Sequence, residues 1–170
     1  MKQIIFLLFT IVSFSSCQSH ERLAVDSEYP RWIGDLKKRN SDNQNFKTCN
    51  DENLIKQYFN NGQGFEYLGE KPALVQAYEN FTPSKKENQN GIIRIRFIVN
   101  CKGETGRFRI MEADENYKPF KFDKKITTQL LAITKQLKGW KSKTIKNTEI
   151  DYYQYLIFKI ENGNIKEILP

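Results

Sequence analysis

Histidine is nearly absent: His20 is the only one in 170 residues. That argues against a catalytic array built on an imidazole base and removes the commonest nitrogen ligand from any zinc site. The five prolines are scattered, so no stiff proline-rich spacer is present. Long apolar runs are missing except at the start, where residues 4–12 are apolar apart from Thr10; that stretch falls short of the about 20 residues a membrane-crossing helix needs. Residues 61–64 (Asn61, Gly62, Gln63, Gly64) carry two glycines but no following Lys-Ser/Thr pair, so they read as a turn and not as a phosphate loop. Asp114 and Glu115 are adjacent in a loop, where carboxylates are ordinarily solvated rather than catalytic. There are no internal repeats. These absences point away from an enzyme and give no reason to expect a cofactor or a metal.

What is present begins at the N-terminus. Lys2 supplies a short positive region, the apolar stretch follows, and Ser13, Phe14, Ser15 and Ser16 lead into Cys17. A charged start, an apolar run and small residues before a cleavage point describe an export signal. Small residues directly before a cysteine at that place resemble the lipobox of bacterial lipoproteins, with Phe14 where that motif prefers Leu. The resemblance implies that residues 1–16 are removed and that Cys17 carries the lipid. Removing sixteen of the 170 residues leaves 154, held to a membrane at about 0.8 kcal/mol per buried methylene. Residues 17–27 then read as the lipidated cysteine and a polar leash. The expected location is the cell envelope, the outer membrane above all.

The formal charge is +7, and Lys2 supplies one unit of it, leaving +6 after cleavage. On an exported chain that balance points away from nucleic acid and suits anionic head groups, acidic glycans or an acidic protein. With Cys17 taken by lipid, Cys49 and Cys101 remain, and an even pair outside the cytoplasm is a disulfide candidate. Closing a loop of about 50 residues stabilises by roughly 3–4 kcal/mol in the chain-entropy account; two free buried thiols are the competing reading.

Residues 28–84 read as a helical N-terminal region packed on the rest. Trp32, Ile33 and Leu36 predict a short helix over 30–39. Asn50 or Asp51 is placed to cap a second helix carrying Leu54, Ile55, Tyr58 and Phe59. Residues 65–68 suggest a short strand, and Pro72 opens a helix with Leu74, Val75, Tyr78 and Phe81. Residues 85–170 are clearer. Ile93, Ile95, Phe97 and Val99 alternate along one strand, and residues 105–113 return with Phe108 and Ile110 inward, forming a hairpin. Asp123 caps a helix to about Lys138 with Ile126, Leu130, Ile133 and Leu137 on one stripe and Gly139 at its C-cap. Residues 151–160 form a third strand, Asn162 and Gly163 a tight turn, and Ile165–Leu169 a short last strand. The order strand, strand, helix, strand predicts an α+β fold: an antiparallel sheet with helices on one face.

That order is similar to the C-terminal domain of TonB-like proteins. The stretch from Gly91 through Phe97, Val99 and Gly103, then Phe108 and Ile110, the helix to Leu137, Trp140, and finally Tyr155, Phe158 and Ile160 carries the resemblance over about residues 85–165. Here Trp140, Lys141, Ser142 stands where the family commonly has Trp-x-Pro, and an uncleaved membrane helix and proline-rich linker are absent. The resemblance implies a non-catalytic protein-interaction domain without energy coupling. Its partner would be an envelope protein such as an outer-membrane transporter, and would add as a strand near residues 153–160, where Tyr153 and Tyr155 lie, unless Ile165–Leu169 already fills that edge.

Four of the chain's seven arginines, Arg94, Arg96, Arg107 and Arg109, fall on the hairpin face opposite the apolar stripe. Guanidinium forks suit carboxylates and phosphates. One reading is a recognition surface for an acidic protein segment or, alternatively, an anionic glycan or other envelope polymer. A second is a charged solvent face salt-bridged to the N-terminal helices, and a third is that the N-terminal half packs on this face and buries it.

Overall fold

The computed structural model describes residues 36–57 and 66–169. The expected signal peptide, Cys17, the leash and most of the helix over 30–39 lie outside the described residues.

Strand β1 (Gly91–Val99) is the organising element. Ile93, Ile95, Phe97 and Val99 all point to one face and are fully buried. β2 (Thr105–Ala113) pairs antiparallel with β1 on one side, Ile95 opposite Ile110 and Arg96 opposite Arg109. β5 (Tyr152–Glu161) pairs antiparallel on the other side, Phe97 opposite Gln154. Asn162 and Gly163 both take positive φ, 50° and 75°, the geometry of a type I′ turn. That turn sends β6 (Asn164–Leu169) back along β5. The sheet order is β2-β1-β5-β6, antiparallel throughout.

Helix α2 (Lys124–Gln136) lies across the apolar face. It starts because the Asp123 carboxylate accepts from the Lys125 N–H at 3.2 Å, an N-cap that satisfies an otherwise orphan donor. Ile126 and Leu130 are fully buried against the sheet. Thr134 is equally buried, and its hydroxyl donates to the Leu130 carbonyl at 2.6 Å and bonds the Tyr78 hydroxyl at 2.7 Å. Trp140 plugs the end of this core, edge-on to Tyr67 at 4.9 Å and to Phe97 at 5.1 Å. The α+β class expected from the sequence is the fold observed.

Several local expectations change. α2 ends at Gln136 with extended Leu137, so Gly139 does not cap it. Gly139 is small for a packing reason: a Cβ there would stand 2.8 Å from the Tyr67 ring. The helix around Pro72, α1 (Glu70–Ala77), is shorter than expected and stops before Tyr78 and Phe81. Leu36 to Arg39 are not helical, and the helix expected after Asp51 is a single 3₁₀ turn, Glu52–Leu54, with no side-chain cap; Tyr58 and Phe59 lie outside the described residues. The strand suggested at 65–68 is one bridge, Tyr67 to Trp140. A small hairpin that the sequence did not suggest, β3 (Lys143–Ile145) and β4 (Thr148–Ile150), precedes β5, turned by Lys146 and Asn147 at positive φ. Among the described residues no helix is long and apolar enough to cross a membrane.

Leu130 has no exposed surface and belongs to the core that includes Ile93, Ile95, Phe97 and Val99 of β1. Leu130→Ala is expected to cost about 2–5 kcal/mol of stability, read as a lowered urea midpoint at unchanged slope.

Candidate functional site

The face of the sheet opposite α2 is where the sequence placed the arginines, and residues 36–57 cover much of it. Leu36, Phe46 and Ile55 form a second small core with Ile98 and Tyr153, both essentially unexposed. The Leu36 N–H donates to the Tyr153 hydroxyl at 3.2 Å. Lys56 exchanges backbone bonds with the start of β5, its N–H to the Asp151 carbonyl and its carbonyl to the Tyr153 N–H.

The arginines hold this cover down. Arg107 donates to the Leu36 carbonyl at 3.1 Å and ion-pairs with Glu52. Arg109 grips Asp42 with both nitrogens, at 2.6 and 2.8 Å, and also reaches the Lys37 carbonyl at 2.8 Å. Arg96, only 4 % exposed, lies 4.3 Å over the Tyr153 ring and donates to Gln57 at 3.1 Å. Arg94 stands 5.5 Å from the centre of the Tyr155 ring. The four arginines share one face, as the alternation implied, and Tyr153 and Tyr155 lie beside them on it, but Arg96, Arg107 and Arg109 are engaged inside the fold rather than presented as an open surface. Arg107 also departs from simple alternation: it sits at an irregularity in the β1–β2 register with φ +55°, the local kink of a bulge.

The Cys49–Cys101 disulfide is present and ties the covering segment to the β1–β2 turn. Beside it Asp151 is 1 % exposed. Its carboxylate accepts from the backbone N–H groups of Cys49 (3.1 and 3.0 Å), Asn50 (2.8 Å) and Cys101 (3.0 Å). The sulfurs and this carboxylate lie within 4.8 Å of one another. Bridged sulfurs offer no thiolate, and the carboxylate oxygens are already occupied by donors, so the group acts as a staple and not as a metal centre. Asp114 spends its Oδ1 on the N–H groups of Asn116 and Lys118, both at 2.8 Å, which makes it a turn residue. Residues 61–64 lie outside the described residues.

The strand edges decide where a partner can add. β5 is flanked by β1 and β6, so the edge near residues 153–160 is filled, and by the segment Ile165–Leu169. The outer side of β2 is different. The Phe120 N–H reaches the Glu112 carbonyl at 3.5 Å and Ala113 bridges Pro119, which closes only the far end. Between Thr105 and Met111 no strand pairs with this side among the described residues. Over Thr105–Arg109 the edge forms the floor of a groove of about 840 Å³. One wall is the 39–46 loop held by Arg109, and the other is the C-terminal part of α2 with Leu131, Lys135 and Lys138. No signal in the sequence marks this groove: its two walls are some 90 residues apart, and a hairpin pattern does not say which of its strands the next strand joins.

Two predictions follow from the cover. The Cys49–Cys101 bridge spans 52 residues, so Cys49→Ser with Cys101→Ser is expected to cost about 4 kcal/mol by loop-closure entropy, read in urea unfolding. The guanidinium of Arg109 holds the Asp42 carboxyl down at about 2 from 3.8, burial opposing. A depressed carboxyl stabilises above its unfolded value, so this contribution is lost as the pH falls from about 4 to about 2. Asp42→Asn should flatten the pH dependence of stability across that window.

Compared with family models, curated proteins and solved structures, the chain has no match among any of the three.

Proposed function

We propose that this chain is a lipid-anchored protein of the cell envelope whose folded domain, TonB C-terminal-like in the order of its elements, binds another envelope protein without catalysis, by strand addition. The expected export leader, residues 1–16, followed directly by Cys17, supports the anchoring. One observation carries the binding mode: among the described residues no strand pairs with the outer side of β2 over most of its length, and that side is walled on both flanks. Edge strands left bare are templates for another chain, and addition at an edge uses backbone groups first, with pockets for alternate side chains. The place of addition differs from the one the family resemblance implied, because β6 occupies the edge of β5. The arginine face, with three of its four arginines bonded to residues 36–57, lends no support to binding of a glycan there.

The test has two parts. Cys17→Ser should move the chain from the membrane fraction to the soluble fraction and abolish incorporation of labelled fatty acid; retention of either property removes the anchor. Crosslinking of the full-length chain in intact envelopes, read by mass spectrometry, should join one protein to positions along a sheet edge. Crosslinks absent, or confined to sugars, would remove the protein-binding reading.

A further inference from the structure

We infer that the β2 edge groove takes an extended acidic segment of the partner protein as a fifth strand. This rests on the strand-addition reading and adds to it the site and the chemistry of the ligand.

The backbone provides the first part. The parity of β2 is fixed by the Phe120 N–H bond to the Glu112 carbonyl. In a strand, alternate residues turn their N–H and C=O to the same side, so Ile110 and Phe108 present theirs outward as Glu112 does. The Phe108 carbonyl already accepts from the Arg109 guanidinium at 2.9 Å, so an added strand shares that acceptor. The Ala113–Pro119 bridge ends the open stretch, so an added strand is short, a few residues at about 3.4 Å each.

Charge provides the second part. The groove is lined by six basic side chains against Asp42 and Glu104. Arg109 and Arg107 are balanced by Asp42 and Glu52. Arg39, Lys102, Lys135 and Lys138 are exposed on the rim, and no ion pair to them occurs among the described residues. Lys135 leans 5.8 Å from the centre of the half-buried Phe108 ring, placing a cation beside an apolar floor. A strand alternating carboxylate and apolar side chains matches the two walls at once: carboxylates on the α2 side, beside Lys135 and Lys138, and apolar groups on the side of the 39–46 loop, where Phe46 lines the groove. The opposite edge is a poorer seat. β6 has six residues, its register with β5 is irregular, and Lys166 and Glu167 alternate in sign along it. The adjacent hollow is about 340 Å³, and Lys71 of α1 reaches across to Glu167 at 3.5 Å.

The probe is a fluorescein-labelled eight-residue peptide of alternating valine and glutamate, titrated against the full-length chain in detergent and followed by anisotropy and amide hydrogen exchange. The acidic peptide is expected to bind and to slow exchange over residues 108–111. The same peptide with a central proline, and its valine–lysine counterpart, should not bind. Lys135→Glu with Lys138→Glu, both on the exposed end of α2, should weaken binding by about tenfold or more at low salt. Absence of binding, binding without protection at 108–111, or affinity unchanged in the double variant overturns the site. If the envelope crosslinks then fall on residues 164–169, the protein-binding reading stands and only the site falls; if no protein is crosslinked at all, the reading falls with it.

Discussion

A single buried carboxylate anchors the irregular part of this protein. Asp151 immediately precedes β5, and its two oxygens collect backbone N–H groups from Cys49, Asn50 and Cys101. Taking a carboxylate out of water is costly unless donors replace the lost hydration, and charge-assisted bonds of this kind are about twice as strong as neutral ones. Three separate stretches of chain are thereby brought to one point, and the Cys49–Cys101 bridge closes beside it. Residues 36–57 contain little regular structure. Without that point they would have few backbone bonds to hold them on the sheet.

The arginines complete the attachment. Each has a planar fork with several donors, and on this face those donors meet backbone carbonyls of Leu36 and Lys37 as well as Asp42 and Glu52. An irregular segment leaves carbonyls unpaired that a helix would satisfy internally, and a guanidinium is suited to take them. The same residues that look like a recognition surface in the sequence thus serve as the fastening for the cover. The consequence is geometric: Asp42, fixed by Arg109, sets the 39–46 loop as one wall beside β2, while α2, packed through Ile126 and Leu130, sets the other.

The final hairpin has an equally large effect. The Asn162–Gly163 turn adds β6 to β5, so the last long strand becomes interior and the edges of the sheet are β2 and the short β6. Strand addition at Tyr153–Ile160, the expectation drawn from family resemblance, is thereby blocked by the chain itself. The functional reading shifts by the width of the sheet although the order of elements is unchanged.

The sequence by itself determined the sheet and its covering helix. Ile93, Ile95, Phe97 and Val99 alternate because a strand turns successive side chains to opposite faces, and the stripe on α2 recurs with the helical repeat; both periods are local properties of the backbone. The turn at Asn162–Gly163 was legible for the same reason, since positive φ favours those residues. The pairing of Cys49 with Cys101 could be offered from number and compartment alone. Only the tertiary structure decided which segment covers the arginine face, what each arginine bonds, which sheet edge stays open and where Gly139 needs to be small. Those outcomes depend on contacts such as Leu36 to Tyr153 and Arg109 to Asp42, between residues 117 and 67 positions apart. No periodicity in a short window carries such information. It is fixed by whichever distant groups satisfy buried donors and apolar surface once the sheet has formed.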